Sequence, residues 1–200
     1  DGTLWIGTDG GLSYFNPKTE TFYTYNNKNT WLIDEDGSRK KMPGYSVKAI
    51  IEDRNGDLLI GTWSSGLMRF HRGGNTFYRY PRLNTTNSAY SLFLDKHQRL
   101  WVGTWGYGVV RLDNPGNVRQ PEMHQYPYST NHFDTFYKII HDPVTKTLWA
   151  CTREGACYLE EDMPNAEWKR YTSIGNNPLN FNNDIATDGK GNIWLCTQNN

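Results

Sequence analysis

A pentapeptide that recurs five times constrains the fold of this chain more than any other feature of the sequence. Its first copy reads Leu-Trp-Ile-Gly-Thr, and successive copies begin 54, 42, 48 and 45 residues apart. The copies occupy residues 4–8, 58–62, 100–104, 148–152 and 193–197. Self-similarity at a period of roughly 20 to 50 residues is typical of solenoids and propellers, in which each repeat is one supersecondary unit.

Three further landmarks recur in step with the pentapeptide. A glycine and then a small or aliphatic residue follow each of the first four copies, and farther on an aromatic residue or methionine precedes a tyrosine by three positions. An aspartate stands five or six residues before four copies, at Asp53, Asp95, Asp142 and Asp188. Landmarks that keep one order in every unit indicate a true internal repeat.

Each repeat divides into four short runs rich in β-branched, aromatic and aliphatic residues. In the best-formed repeat these runs are residues 47–52, 58–62, 67–71 and 77–80, separated by Gly, Asn, Asp and Pro. Such runs and breaks are typical of strands and turns, and no segment has the apolar spacing of an amphipathic helix. Four antiparallel strands in each repeat predict an all-β fold made of β-propeller blades.

The pentapeptide is apolar at adjacent positions, as a strand must be when neighbouring blades cover both of its faces. We therefore expect its tryptophans to be core residues, namely Trp5, Trp101, Trp149 and Trp194. The glycines Gly7, Gly61 and Gly103 would allow the adjacent blade to approach closely. Cys151 and Cys196 stand at the same position and are small enough to replace glycine there.

The number of predicted strands is not a multiple of four. The first repeat lacks its opening strand and the last has only two, which gives 17 strands. We therefore predict that residues 1–200 form a β-propeller arc of about four four-stranded blades plus a partial blade, cut from a larger propeller. The blade repeats fall around residues 1–45, 46–90, 91–136, 137–183 and 184–200. The two outer faces of such an arc would expose apolar blade surface.

Charge and motif content exclude several function classes. Lys plus Arg and Asp plus Glu are 21 each, so no nucleic-acid partner is expected for this segment. No window reaches the roughly 20 apolar residues of a membrane span, and the first residues do not resemble a signal peptide. Metal-ligand spacings of His and Cys and a Gly-x-Ser-x-Gly elbow are missing, so no metal, cofactor or catalytic residue is predicted.

One rim of the predicted blades concentrates the candidate binding residues. The turns between second and third strands share this rim with the long connections between blades, and recognition usually lies on long loops of a rigid scaffold. The turns contribute Asp9, Trp63, Trp105, Tyr107 and Arg153, and the long connections contribute Trp31 and His132. Flat aromatic side chains with polar neighbours suit the apolar faces and hydroxyl edges of a glycan. The alternative for Trp63 and Trp105 is packing against the next blade.

The string Asp-x-x-Gly-x-Leu-x-Ile-Gly-Thr at residues 53–62, followed by Gly66-Leu67 and Phe77-x-x-Tyr80, resembles the two-component regulator propeller repeat. This resemblance implies a seven-bladed propeller in the periplasmic sensor region of hybrid two-component histidine kinases of Bacteroides-type gut bacteria. It implies an oligosaccharide ligand and a phosphorelay to a kinase outside this segment. The remaining blades and sensor domains would be partners within a parent chain that forms a homodimer. Leu59 departs from the tryptophan of the repeat.

Other interpretations stay open alongside this one. A propeller can also be a protein-interaction scaffold, or a lyase or glycosidase for which Asp9, Arg153 and Glu154 would supply the acid and base groups. The segment itself is not expected to be an enzyme, because no repeat carries a catalytic pattern. Cys151 and Cys157 flank one turn and could be buried thiols or a disulfide.

Overall fold

The computed structural model describes residues 2–83, 87–126, 135–160, 167–179 and 182–197, and every regular element in these ranges is a β-strand. The first sheet contains β1 (Leu4–Thr8), β2 (Gly11–Asn16) and β3 (Thr21–Tyr25). In spatial order, the second contains β5 (Arg39–Lys41), β4 (Trp31–Ile33), β9 (Thr76–Arg79), β8 (Leu67–His71), β7 (Leu58–Trp63) and β6 (Ser46–Glu52).

Two four-stranded sheets and one smaller sheet follow along the chain. The third sheet contains β10 (Ala89–Leu94), β11 (Leu100–Thr104), β12 (Val109–Leu112) and β13 (Met123–Tyr126). The fourth contains β14 (Phe136–Asp142), β15 (Thr147–Thr152), β16 (Gly155–Glu160) and β17 (Lys169–Tyr171). The fifth contains β20 (Asn182–Thr187) and β21 (Ile193–Thr197), and β18 (Ser173–Ile174) pairs with β19 (Asn177–Pro178) in a separate hairpin.

The sheets are arranged as the blades of a propeller. Consecutive strands within each blade are antiparallel neighbours, and the pentapeptide forms the second strand. The first strands β6, β10, β14 and β20 contact one another in that order, so they lie on the inside of the arc. The fold-class prediction of an open, all-β propeller arc is confirmed. The described part of the chain contains no helix with the length and hydropathy that a membrane crossing needs.

Three hydrophobic clusters fill the seams between neighbouring sheets. Leu58 and Ile60 of β7 enter the seam with the first sheet, and Leu59 between them enters the seam with the third sheet. In β11, Val102 likewise faces the preceding sheet and Trp101 faces the following one. Adjacent apolar residues in one strand therefore serve two different cores, as the pattern of the pentapeptide predicts.

The tryptophans of the pentapeptide face the following sheet, and their burial depends on whether that sheet is there to cover them. Trp101 is 2% exposed against the fourth sheet, whereas Trp194 in the fifth sheet is 65% exposed. The prediction that Trp194 is a core residue is wrong for the described chain, because no described sheet packs on that face. Leu4, whose position faces the preceding sheet, is 58% exposed for the same reason at the other end. Both ends of the arc thus expose apolar surface.

The insertion at residues 26–45 is not the rim loop that the sequence predicts. It forms the hairpin β4–β5, and β4 pairs in parallel with β9, with Leu32 opposite Phe77. Leu32 is 1% exposed, and the buried Asp34 carboxylate pairs with Lys40 at 2.7 Å and with Arg79 of β9 at 3.3 Å. Apolar burial and this ion pair make the hairpin the outer edge of the second sheet.

The recurring aspartates close the turns between first and second strands. Asp53 accepts the backbone N–H groups of Asn55 and Asp57 at 2.8 and 3.1 Å. Asp95 accepts those of His97 and Arg99, both at 2.9 Å. The interpretation of these residues as turn-forming acceptors is confirmed, and it explains their fixed distance from the pentapeptide.

We expect these aspartates to make the folded protein less stable in acid. Burial raises the pKa of Asp95, but hydrogen bonds from Trp101 and Arg99 outweigh it and hold the pKa below its ordinary value of 3.8. Hydrogen bonds from Thr145 and Asn192 also lower the pKa of Asp142 and Asp188. A group with a depressed folded-state pKa contributes stability above its unfolded pKa, and that contribution is lost as the pH falls through the folded pKa.

We therefore expect the free energy of unfolding, measured by urea titration, to be nearly constant between about pH 7 and 5 and to fall steeply below about pH 4. Replacing Asp95 with Asn removes one depressed carboxylate and should make this acid-induced fall shallower. A free energy that stays constant down to about pH 2.5 would show that these carboxylates are not stabilised by folding.

None of the three cysteines forms a disulfide. Cys151 and Cys157 lie on paired strands, but each faces an alanine across the ladder, Ala156 and Ala150 respectively. Burial raises the pKa of the Cys151 thiol to about 12, so this thiol is not a nucleophile at neutral pH. The structure favours buried thiols over the disulfide.

Candidate functional site

We call the ends of the sheets that carry the turns between second and third strands the upper rim. In each of the first four sheets, the threonine that ends the pentapeptide donates its hydroxyl hydrogen to a glycine carbonyl across this turn. The distance is 2.7 Å from Thr62 to Gly66 and 2.8 Å from Thr104 to Gly108. These two turns are one residue longer than the corresponding turns of the first and fourth sheets. The longer turns carry Trp63 and Trp105 directly after the threonine.

The first strand of each blade contains a β-bulge at the same rim. The pairing of β10 with β11 skips one residue between Ala89 and Ser91, and the pairing of β14 with β15 skips one between Phe136 and Lys138. The residues that are skipped are Tyr90 and Tyr137, and the equivalent residue of β6 is Lys48. A bulge adds an unpaired residue and changes the direction of its side chain.

Four rings meet where the long turns and the bulges come together, and we call Trp63, Tyr90, Trp105 and Tyr137 the aromatic cluster. The ring centroids of Trp63 and Trp105 are 4.6 Å apart, and Tyr90 lies 6.1 and 6.0 Å from them. Tyr137 extends the cluster, 5.5 Å from Tyr90. Trp63 is still 37% exposed. The cluster thus joins three sheets, packs across their seams and leaves ring surface open to solvent.

Charged side chains flank the aromatic cluster on both sides, in pairs. On the first-sheet side, Asp9 accepts hydrogen bonds from Ser46 and from Lys48, and these lower the pKa of its carboxyl group. On the fifth-sheet side, Lys138 Nζ lies 2.6 Å from Asp184 Oδ1, and this hydrogen bond lowers the pKa of Asp184. Lys48, at the bulge position of β6, and Lys138, which follows Tyr137, are therefore each paired with a carboxylate.

The structure brings together only part of the site that the sequence predicts. Trp63 and Trp105 meet, and Tyr107, which is 43% exposed, shares the turn of Trp105. Arg153 lies exposed on the turn of the fourth sheet, where the neighbouring Glu154 binds Arg170 at 3.0 Å. His132 lies outside the described residues.

Trp31 does not lie on the upper rim. It belongs to β4, and β9 and β8 separate β4 from β7, which carries Trp63. At the usual strand spacing this places the two strands about 14 Å apart. Arg39 and Lys41 of β5 cover the Trp31 ring at 5.3 and 5.1 Å from its centroid. The hairpin that the sequence did not predict explains the displacement.

Sequence reasoning missed Tyr90 and Tyr137. Their only signal is positional, because both stand one residue into the first strand of a blade, aligned with Lys48. The bulge that turns this position toward the rim cannot be recognised from the amino-acid composition of the strand.

One group of side chains on the opposite rim has the composition of a metal site. Asp113, Glu122 and His124 bring one ligand atom each within 4.8 Å of one another. Arg111, however, donates to both carboxylate oxygens of Asp113, at 2.6 and 2.9 Å. This bidentate contact with a guanidinium is typical of an ion pair. We therefore interpret the group as an ion-pair network and not as a metal site.

Comparison with known proteins agrees with the repeats and the fold. The family model described as two component regulator propeller matches residues 41–64 and 85–106. None of the curated protein sequences is a match for this chain.

Solved structures with the same fold include the extracellular domain of BT4673 from B. thetaiotaomicron, assigned to a one-component or a hybrid two-component system. It matches with a TM-score of 0.74 and 22% identity over 98% of this chain and 25% of that chain. PorZ, a surface component of the type-IX secretion system of Porphyromonas gingivalis, matches with a TM-score of 0.66 and 18% identity over 97% of this chain and 29% of its own. Streptogramin B lyase matches with a TM-score of 0.69 and 12% identity over 98% of this chain and 59% of its own.

At sequence identities of 12 to 22%, the structural similarity shows a shared fold but not a shared activity. The chain spans about a quarter of the length of the BT4673 domain. The matched segments include two of the five pentapeptides, at residues 58–62 and 100–104. Two segments of this chain therefore match the two-component regulator propeller model, and the chain folds into an open β-propeller arc.

Proposed function

We propose that this chain is part of an extracytoplasmic, periplasmic sensor propeller of a hybrid two-component system, and that its upper rim binds an oligosaccharide. The signal would pass to a histidine kinase outside this segment. The observation that carries the proposal is the aromatic cluster, in which open ring surface from three sheets meets at the rim of a regulator propeller. Sugar rings stack on such surfaces through their apolar C–H faces.

The charge distribution around the aromatic cluster favours an uncharged ligand. Lys48, at the bulge position of β6, and Lys138, which follows Tyr137, are each paired with a carboxylate. An anionic sugar would have to compete with Asp9 and Asp184 for them. A neutral oligosaccharide instead leaves these ion pairs intact and offers hydroxyl groups to them.

The position of the cluster suggests how binding becomes a signal. A ligand seated on Trp63, Trp105 and Tyr137 touches the second, third and fourth sheets at once. It binds best when these blades hold one relative position, and differential affinity of this kind shifts a conformational equilibrium. In a homodimer of the parent chain, the shifted equilibrium would set the state of the kinase.

We expect the variant Trp63→Ala/Trp105→Ala to bind its oligosaccharide roughly 5- to 150-fold more weakly, since each lost ring contact is worth about 0.5–1.5 kcal/mol. The measurement is calorimetric titration of the full protein with a panel of neutral tetrasaccharides of glucose, mannose, xylose and galactose. Phe22→Ala is the control, because it removes an exposed aromatic ring of the first sheet that lies outside the aromatic cluster.

An unchanged affinity in the double variant would place the ligand elsewhere. Failure of the whole panel to bind, together with capture of a protein partner through the same rim, would favour the interaction scaffold. Cleavage of a panel member by the protein would instead make the rim a catalytic site.

A further inference from the structure

A cavity lies on the outer side of the arc, between the first and second sheets, and we call it the edge pocket. Its volume is about 410 Å³, within the range of small-ligand sites. One wall is β3 of the first sheet, with Tyr23 and Tyr25, and the other is the β4–β5 hairpin, with Trp31 and Arg39. The edge pocket therefore exists only because the hairpin extends the second sheet.

The hairpin wall of the edge pocket is held firmly. Leu32 and Met42 on either side of the hairpin are each 1% exposed within the first hydrophobic cluster. The buried Asp34 carboxylate ties the hairpin to Arg79 of the neighbouring strand. A wall anchored in this way keeps its side chains in place before a ligand arrives, which lowers the entropy lost on binding.

The polar and aromatic groups of the edge pocket suit a sugar. Tyr23 and Trp31 are 43% and 46% exposed. The Tyr25 hydroxyl donates to Asn75 Oδ1 at 2.8 Å, which fixes that amide and leaves its N–H groups to donate to a ligand hydroxyl. The exposed rings of Tyr23 and Trp31 and the oriented amide of Asn75 line the same pocket, which is the usual combination of an apolar platform and a few fixed polar groups.

The edge pocket carries positive charge without a carboxylate partner, whereas Lys48 and Lys138 beside the aromatic cluster are each paired with a carboxylate. Arg39 and Lys41 pair with no carboxylate among the described residues, and no acidic side chain lines the pocket there. Lys40 between them points to the other face of the hairpin and pairs with Asp34 and Asp36. The cations of Arg39 and Lys41 lie about 5 Å from the centroid of the Trp31 ring. Arg39 lines the pocket, and Lys41 stands next to it outside the lining, where its Nζ donates to the Lys28 carbonyl oxygen at 2.7 Å.

We propose that the edge pocket binds an acidic oligosaccharide, one that carries carboxylate or sulfate groups. A sugar ring would lie against Tyr23 and Trp31, its anionic group on Arg39 with the charge of Lys41 close by, and its hydroxyl groups against Asn75. Hydrogen bonds from cations to carboxylate or sulfate oxygens are the strong ones in such sites. This site is separate from the aromatic cluster and does not depend on a ligand there.

The test is calorimetric titration of the full protein with tetragalacturonate and with a chondroitin 4-sulfate tetrasaccharide, beside neutral cellotetraose. We expect at least one acidic probe to bind, and the two probes distinguish a preference for carboxylate from one for sulfate. Binding should be at least about tenfold weaker in Arg39→Ala/Lys41→Ala, because each charge-assisted hydrogen bond contributes roughly that factor. It should also weaken between about 50 and 500 mM NaCl as the charges are screened.

Three controls separate this site from a general attraction of anions. Lys190→Ala and Lys146→Ala each remove an exposed lysine far along the chain, in the fifth and fourth sheets, and should leave binding unchanged. Trp31→Ala should weaken binding, because the indole is the platform. The proposal is overturned if neither acidic probe binds, if Arg39→Ala/Lys41→Ala binds as the parent does, or if hexaglutamate binds as tightly as the sugars.

Discussion

Replacing Arg69 with Met is expected to destabilise the protein by about 3–5 kcal/mol, the usual effect of removing one partner of a buried ion pair. Arg69 is 9% exposed, and its Nη2 lies 2.9 Å from Asp53 Oδ2 and 2.8 Å from Asp57 Oδ2. Its Nη1 also donates to the carbonyl oxygen of Pro115 in the third sheet, at 3.3 Å. The variant leaves two buried carboxylates side by side without their cation.

Urea titration of the free energy of unfolding measures this loss, and its pH dependence identifies the cause. Burial raises the pKa of Asp57, but hydrogen bonds from His71 and Arg69 outweigh it in the parent and lower the pKa. In the variant the Arg69 hydrogen bond no longer opposes the effect of burial, so the pKa of Asp57 is higher than in the parent. Protonation of Asp57 then removes part of the destabilisation. The difference between variant and parent should therefore shrink as the pH falls below about 4.

Lys169→Met is the matched control, because it breaks the exposed pair between Lys169 and Glu160, whose side chains are 58% and 45% exposed. Its effect should stay below about 1 kcal/mol. An Arg69→Met variant that loses no more than this control would show that the buried network does not hold the second and third sheets together.

Replacing Gly103 with Val should cost about 3 kcal/mol or more, or prevent folding, because the new side chain collides with the next blade. A Cβ atom at this position would lie 2.8 Å from both the Cβ atom and the carbonyl oxygen of Phe136, which opens the fourth sheet. The Ser91 hydroxyl, 2.2 Å away, can rotate, but the backbone of β14 cannot move without opening the seam.

The smaller change Gly103→Ala keeps the test informative if the valine variant does not fold. It should shift the urea midpoint in the same direction, by a smaller amount. Gly10→Ala is the control, since a Cβ atom there has only the Thr8 hydroxyl nearby, at 3.7 Å, and should change stability by less than about 0.5 kcal/mol. Equal midpoints for the two alanine variants would contradict the tight seam.

The fold could be predicted from the sequence because the apolar and glycine positions of the repeat correspond to the contacts that each strand makes. In the run Leu58, Leu59 and Ile60 every residue is apolar, and the structure sends them alternately into two seams. Gly61 lies against the carbonyl oxygen of Ala89 in the next blade, at 2.7 Å from a Cβ atom built there, as the close-approach prediction states. Cys151 is fully buried at the same position of the fourth sheet, so the need for glycine is set by the neighbouring blade.

The features that the sequence does not predict all depend on contacts between distant segments. The parallel pairing of Leu32 with Phe77 joins residues 45 positions apart, and local turn and strand patterns contain no sign of it. The same holds for Tyr90 and Tyr137, whose place in the aromatic cluster depends on a bulge. Trp194 has a sequence environment similar to that of Trp101, but among the described residues no sheet covers it, so similar local patterns give opposite burial.

The most direct test of the account is the spectrum of the tryptophan indole N–H groups in the ¹⁵N-labelled protein, recorded while the best neutral oligosaccharide of the panel is added. The protein has 8 tryptophans, and single Trp→Phe variants assign their signals. If the aromatic cluster is the ligand site, the signals of Trp63 and Trp105 shift in proportion to saturation, while those of Trp31 and Trp149 stay in place. Saturable binding that moves other indoles and leaves Trp63 and Trp105 unchanged would contradict the account.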